Sequence, residues 1–209
     1  MESSAFWNRI LGSSALAWGA KPSPAVELLA AHLPAPARVL VPGCGYGRNA
    51  LGLARHGYEV VATDGSLAGL ERARSEFAHR GIRYLHEDVF TAPDGPFDAV
   101  LSHYVLHLFR ARERARLLTI WRNALRASGL LMLTALSTRC SFFGQGEELE
   151  PGTWSNPGWL PIHFETPETL AAQLEQCGLT VLETEQREEP EDKPRGLVKT
   201  PTVYALASR

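Results

Sequence analysis

The chain is short of what an oxidised or metal-stapled scaffold needs. Its three cysteines, Cys44, Cys140 and Cys177, are odd in number and widely spaced with no C-x-x-C pair, which argues against a disulfide framework and a zinc knuckle and makes a reducing cytoplasm the expected compartment. An excess of charge of one sign is missing too. Lys+Arg number 21 against 23 Asp+Glu, the net charge is −2, and no basic run stands out, so the electrostatic footprint of a nucleic-acid binder is absent. No window approaches the length of a bilayer span, and no charged segment followed by a long apolar stretch opens the chain; neither a membrane span nor a secretory leader is expected. Repeats and low-complexity tracts are lacking as well. The 209 residues, 44% of them hydrophobic, suit one globular domain with a sizeable core and a small-molecule partner, acting as a monomer or homodimer.

What is present concentrates in residues 38–64, RVLVPGCGYGRNALGLARHGYEVVATD. A short aliphatic run reads as a buried strand, and Gly43, Gly45 and Gly47 follow where that strand must turn sharply into a helix. Glycine there lets backbone approach a ligand closely. Ala50, Leu51, Leu53 and Ala54 share a helical face, Gly57 is the stop, and a second strand closes on Asp64, where a doubly wound sheet places the acid that binds a ribose. Two cofactors compete for such a turn. From Gly45 it satisfies G-x-G-x-x-A with Gly47 and Ala50, the dinucleotide fingerprint. Against a nicotinamide cofactor, Arg48 and Asn49 at the helix start suit a carboxylate better than close diphosphate packing, and no tyrosine has a lysine four residues on. This favours S-adenosylmethionine, whose amino-acid end carries a carboxylate.

Alternating strand and helix patterns predict a parallel sheet covered on both faces, an α/β Rossmann-like, doubly wound domain spanning 1–209. An N-terminal arm runs to Ser23. Helices are expected at 24–33, 66–80, 110–126 and, behind the N-cap Thr166 and Pro167, to Gln176. Strands are expected at 38–42, 58–63, 82–86, 97–102, 130–136, 179–183 and 202–207. Residues 138–165 read as an insertion rich in glycine and proline, with Trp154, Trp159, Glu147, Glu148 and Glu150, long enough to be a substrate lid. The stretch REEPEDKPRG at 187–196 reads as a charged turn without chemistry.

VLVPGCGYGRN, the Asp64 strand end, EDVF at 87–90, FDAVLSHYVLHL at 97–108 and SGLLMLTAL together resemble a class I S-adenosylmethionine-dependent methyltransferase. VPGCG is similar to the thiopurine, thiol and halide methyltransferases. GCGYGRN, GEELEPGTW, IHF and the N-terminal FWNR and AWGAKPSP are similar to the tellurite-resistance branch, in which an aromatic arm closes over the cofactor. The resemblance implies a seven-stranded sheet with its last strand antiparallel. It places Gly43, Cys44, Gly45 and Gly47 beside the methionine part of the cofactor, Asp64 with Gly65 at the ribose, Asp88 and Val89 at the adenine, and Ser102 and His103 under the methionine. Val41 and Pro42 stand where the commonest pattern has an acid and a leucine, so Arg48 is the residue expected to pair the cofactor carboxylate.

Methyl transfer from a sulfonium is an in-line displacement, so the protein must position the reacting pair and exclude water. A thiolate or chalcogen oxyanion needs no base, whereas a hydroxyl or ammonium must lose a proton. His103, just past the fourth strand, is the candidate base. Trp18 is a candidate cation-π contact for the sulfonium, and Trp7, Tyr104, His107, Trp154 and His163 are candidate acceptor contacts. His103 and His107 lack a third ligand nearby, so no metal is expected. The function read from the chain is methyl transfer to a small-molecule nucleophile, a thiol or chalcogen oxyanion ahead of nitrogen or oxygen. An NAD(P)-dependent oxidoreductase and a non-catalytic S-adenosylmethionine-binding module are the alternatives.

Overall fold

Strand β1 (Arg38–Pro42) lies at the centre of a seven-stranded sheet, because every residue after Arg38 in RVLVP is apolar and buried. The computed structural model describes residues 2–13, 15–155, 160–193 and 196–209. Around β1 the sheet takes β2 (Glu59–Asp64), β3 (Ile82–His86), β4 (Phe97–His103), β5 (Leu125–Leu136), β9 (Thr180–Lys193) and β10 (Gly196–Ser208) in the order β3-β2-β1-β4-β5-β10-β9. The pairings β1–β2, β1–β4, β2–β3 and β4–β5 are parallel, and β10 is antiparallel to both β5 and β9. Strand order reverses between β1 and β4, so a crevice opens at their carboxyl ends.

Period-two alternation splits the core into two layers. Val39, Val41, Val60, Ala62, Ala99, Leu101, Met132, Tyr204 and Leu206 face helices α2 (Pro24–Ala30) and α3 (Arg48–Arg55). Leu40, Val61, Val100, Leu131, Leu133, Val203 and Ala205 face α5 (Ala111–Ala124) and α6 (Pro167–Gln176), where Trp121, Leu117 and Leu170 are fully buried. Each buried Val, Leu or Met among them stabilises the fold by about 1.5–3 kcal/mol, so both layers are needed to offset chain entropy. Helix α6 starts where its cap dictates: Thr166 Oγ1 accepts from Thr169 N at 3.2 Å, and Thr169 Oγ1 accepts from Thr166 N at 2.9 Å. Helix α4 (Leu67–Glu76) is capped by Ser66, whose hydroxyl accepts from Gly69 N at 3.0 Å. It ends earlier than the expected Arg80, because Phe77 leaves the helix to pack against Tyr46 at 5.5 Å between ring centroids.

The arm contains a helix, α1 (Glu2–Leu11), laid on α4 through Asn8, whose Oδ1 accepts from Ser66 Oγ at 2.8 Å. Residues 138–165 hold a small sheet, β6 (Glu148–Glu150), β7 (Thr153–Trp154) and β8 (Ile162–His163), closed on Leu136, Cys140, Phe142 and Phe164. Pro157, Gly158 and Trp159 of that segment lie outside the described residues.

Two expectations are corrected. Strand β5 begins at Leu125, directly after α5, because Leu125 is buried opposite Phe97. Of the supposed charged turn at 187–196, residues 187–193 are part of β9 and Gly196 opens β10, while Pro194 and Arg195 lie outside the described residues; in β9, Glu189 and Glu191 are buried and alternate with exposed Glu188, Pro190 and Asp192. Charge density concealed the period of two. No helix among the described residues is long and apolar enough to cross a membrane.

Candidate functional site

The turn after β1 is built from residues that leave the right-handed region: Gly43, Gly45 and Gly47 have φ of 64, 57 and 91°. At Gly47 the requirement is absolute, since a Cβ would also collide with the Tyr84 hydroxyl. Asp64, at the tip of β2, braces the turn by accepting from Gly45 N at 2.7 Å through Oδ2 and from Ser66 N at 2.8 Å through Oδ1. Burial pushes its carboxyl up, and the two amides oppose that rise. Gly43, Gly45, Asp64 and Ser66 line a cavity of about 610 Å³ over the tips of β1, β2, β3 and β4.

Of the residues expected to hold a cofactor, Trp18, Gly43, Cys44, Gly45, Arg48, Asp64, Gly65, Asp88, Val89 and His103 line this cavity. Gly47 stands in the turn without lining it, and a Cβ on Gly65 would meet no atom within 4 Å. Asp88 accepts from Phe90 N at 2.8 Å, fixing the segment after β3. Ser102 departs from expectation: its side chain is buried in the sheet, its hydroxyl has no partner, and it does not reach the cavity.

At the β4 end, His103 carries the geometry with most chemical content. Its Nε2 lies 2.8 Å from an Arg48 terminal nitrogen and its Nδ1 lies 2.7 Å from Thr134 Oγ1. A guanidinium only donates, so Nε2 accepts, Nδ1 bears the proton and donates to Thr134, and the ring is neutral. Burial, then the charges of Arg48 and His107, hold the imidazole well below its ordinary value. Next to it Tyr104, at φ 56°, is held in an unusual conformation by its hydroxyl, 2.5 Å from Thr202 Oγ1.

Arg48 also donates to the carbonyls of Trp18 and Lys21 at 3.1 and 2.9 Å, and Asn49 Oδ1 accepts from Ser23 N at 2.8 Å. Both polar residues at the start of α3 therefore tie down the arm. Arg48 and Asn49 nonetheless both line the cavity as well as holding the arm. The arm supplies an aromatic wall: Trp7 and Trp18 centroids are 6.4 Å apart, and Trp18 stacks on Tyr46 at 6.3 Å.

The acceptor candidates divide. Trp7 and Tyr104 line the cavity; His107, Trp154 and His163 do not. His107 is buried beneath Tyr104, where burial and then His163 press it down to about 3. His163 is bound to Thr153 Oγ1 at 2.8 Å and lies 3.1 Å from Glu165, joining the small sheet to α6. Trp154 packs on Phe143 at 5.9 Å. Sequence reasoning missed Glu189 and Tyr204. Glu189 is fully buried, accepts from the Tyr204 hydroxyl through Oε2, and brings Oε1 to 3.6 Å from His103 Nε2 and 3.9 Å from Arg48. The alternation of Glu189 and Glu191 with Pro190 and Asp192 was the available signal. Among the described residues, no group of three or more His, Cys, Asp or Glu is placed to hold a metal.

The cavity fits S-adenosylmethionine on its own chemistry. Its volume is in the range of small-molecule sites, Asp64 offers a half-buried carboxylate acceptor, Gly65 leaves open space beside it, and aromatic faces flank the far end. Residues 40–133, from β1 through most of β5, match a family model described as "Methyltransferase domain". An uncharacterized methyltransferase of Mycobacterium tuberculosis is 46% identical over 71 residues, 33% of this chain and 36% of the relative. The tRNA 5-carboxymethoxyuridine methyltransferase of Escherichia coli is 33% identical over 114 residues, 51% of this chain and 43% of that one. These matches span less than half the length of the relatives concerned. A crystal structure of an S-adenosylmethionine-dependent methyltransferase from Methanosarcina mazei superposes with a TM-score of 0.73 at 18% identity, covering 87% of this chain and 96% of the other. The fold is thus that of the class I S-adenosylmethionine-dependent methyltransferases, and residues 40–133 are the part that resembles a methyltransferase domain in sequence. The family match agrees with the S-adenosylmethionine reading of the glycine turn.

Proposed function

We propose that this chain, through the methyltransferase domain at 40–133, transfers a methyl group from S-adenosylmethionine to a small, neutral or anionic nucleophile in the cytoplasm, with a thiol or a chalcogen group as the acceptor, acting as a monomer or homodimer. The observation that carries the reading is one cavity with a half-buried acid, Asp64, at the β2 tip and a neutral imidazole, His103, pinned by Arg48 at the β4 tip. When bound, the cofactor supplies an electrophilic methyl group on a sulfonium.

The chain's own residues do the rest. Asp64 accepts from the ribose, Arg48 at the cavity wall pairs the cofactor carboxylate, and Trp18 with Tyr46 shields the reacting pair from water. The Arg48 charge disfavours an ammonium acceptor, and the aromatic and aliphatic wall of Trp7, Val105, Leu108 and Phe109 suits a soft, weakly hydrated atom. Although one relative is named for tRNA, the balance of 21 basic against 23 acidic residues supports a small-molecule acceptor over a nucleic acid. The small sheet at 138–165 would bound the acceptor from outside as a lid.

The test is calorimetry with S-adenosylhomocysteine followed by turnover against thiols, amines, phenols and chalcogen oxyanions. His103→Ala is expected to lower turnover more than it weakens cofactor binding. A folded protein that takes up no S-adenosylhomocysteine sinks the proposal.

A further inference from the structure

Glu189 belongs to no motif and lies outside residues 40–133, yet it is the most completely buried acid beside the cavity. One of its oxygens, Oε2, is satisfied by Tyr204. The other, Oε1, has no hydrogen-bond partner, although an orphaned buried oxygen is costly and needs a reason. That oxygen points to His103 Nε2 at 3.6 Å and to Arg48 at 3.9 Å, while Arg48 donates to the same Nε2 at 2.8 Å. Three groups thus share one corner. The imidazole nitrogen has an accepting role now, with Arg48 as donor, and a second partner already in place for the moment it bears a proton.

We propose that Glu189 is a positioning residue that makes His103 a usable base: when His103 takes a proton from the acceptor, Nε2 exchanges Arg48 for Glu189. The inference rests on the methyl-transfer reading above, and it refines the acceptor to one that arrives protonated, a thiol. The proton leaves the acceptor's heteroatom for Nε2, and the pair left behind forms the bond to the methyl carbon. The carbon–sulfur pair of the sulfonium returns to sulfur, and the proton later leaves His103 for solvent. Without a counter-ion, an imidazolium buried beside Arg48 would be expelled to the neutral form. The titratable groups around His103 are Arg48 from α3, His107 from the turn after β4, Tyr104 beside it, Glu189 and Glu191 from β9 and Tyr204 from β10. Of these, Glu189 alone brings a carboxylate oxygen within 4 Å of Nε2 among the described residues. Burial, and to a smaller extent the Glu191 charge, push its carboxyl up, against the pull of Tyr204, Arg48 and the Ser23 hydroxyl.

Two measurements test this. In Arg48→Met, nuclear magnetic resonance of labelled histidine is expected to show His103 protonating with a midpoint above the ordinary histidine value of about 6.5, with the midpoint falling by more than one pH unit in Arg48→Met/Glu189→Gln. That readout needs no methyl transfer, so it stands if no acceptor is ever found. A His103 that stays neutral at pH 6 in Arg48→Met overturns the proposal. In the otherwise intact enzyme, Glu189→Gln is expected to lower kcat at least tenfold at pH 7 with KM and the Kd for S-adenosylhomocysteine within twofold. The deficit should shrink as pH rises past a free thiol's value of about 8.5, and Glu189→Asp should recover part of it. A deficit uniform across pH, or none, marks a merely structural carboxylate and overturns the proposal, and this arm decides should Arg48→Met fail to fold.

Discussion

Replacing Asp64 by Asn separates the cost of a buried charge from its use. The carboxylate accepts two backbone amides, from Gly45 and Ser66, and each oxygen keeps a second lone-pair position for a ribose hydroxyl. In Asn one oxygen becomes an NH₂ that faces an amide donor, so one brace of the turn is lost along with the charge. Hydrogen bonds to a charged acceptor contribute about 1.5–3 kcal/mol each, and a loss near the middle of that range, about 2 kcal/mol, raises the Kd about 30-fold. Stability should move much less, because burial raises the Asp64 carboxyl and the neutral amide relieves that penalty while the lost brace opposes it. The sign follows from the direction of the shift. A carboxyl raised in the folded state weakens the fold above its folded value, and the penalty is relieved as pH falls through it. Cofactor affinity does the reverse, dropping as Asp64 gains its proton at a pH above that of an ordinary carboxylate, whereas Asp64→Asn should show no such drop. Calorimetric titration with S-adenosylhomocysteine between pH 4 and 8, beside urea unfolding, reads all of this. A Kd within threefold of wild type would refute the assignment of Asp64 to the ribose.

Arg48→Ala should weaken S-adenosylhomocysteine binding at least tenfold, since about 1.4 kcal/mol accompanies each tenfold step and the guanidinium contributes charge-assisted bonds of that size; an unchanged Kd removes Arg48 from the cofactor carboxylate. Gly47→Ala forces a Cβ onto a residue at φ 91° and against Tyr84, so unfolding free energy should fall by about 1–3 kcal/mol with binding lost in parallel, and denaturation midpoints equal to wild type would show that the turn relaxes freely.

Much of this protein follows from local chemistry. The run RVLVP can only be a doubly buried strand, three glycines at alternate positions can only turn sharply, and Thr166-Pro167 starts a helix in almost any context, so the sheet, the turn and the acid at Asp64 were legible from residues alone. The period of two in the central strands also determined which side chains face which helical layer.

The substrate end was decided by tertiary structure. His103 is adjacent in sequence to neither Arg48 nor Glu189, and its tautomer exists only because the fold sets a donor against Nε2 and Thr134 against Nδ1. Arg48 and Asn49 looked like ligand groups and turned out to hold the arm as well, because their reach depends on where residues 18–23 lie. Glu189 was concealed in a run of charges that reads as solvated loop, and pairing β9 with β10 is what drives it inward. Periodicity and turn chemistry are properties of neighbours along the chain, so the sequence determined the scaffold. The charge state of a buried side chain depends on groups brought together from α3, β4, β9 and β10, and only the folded chain supplies them.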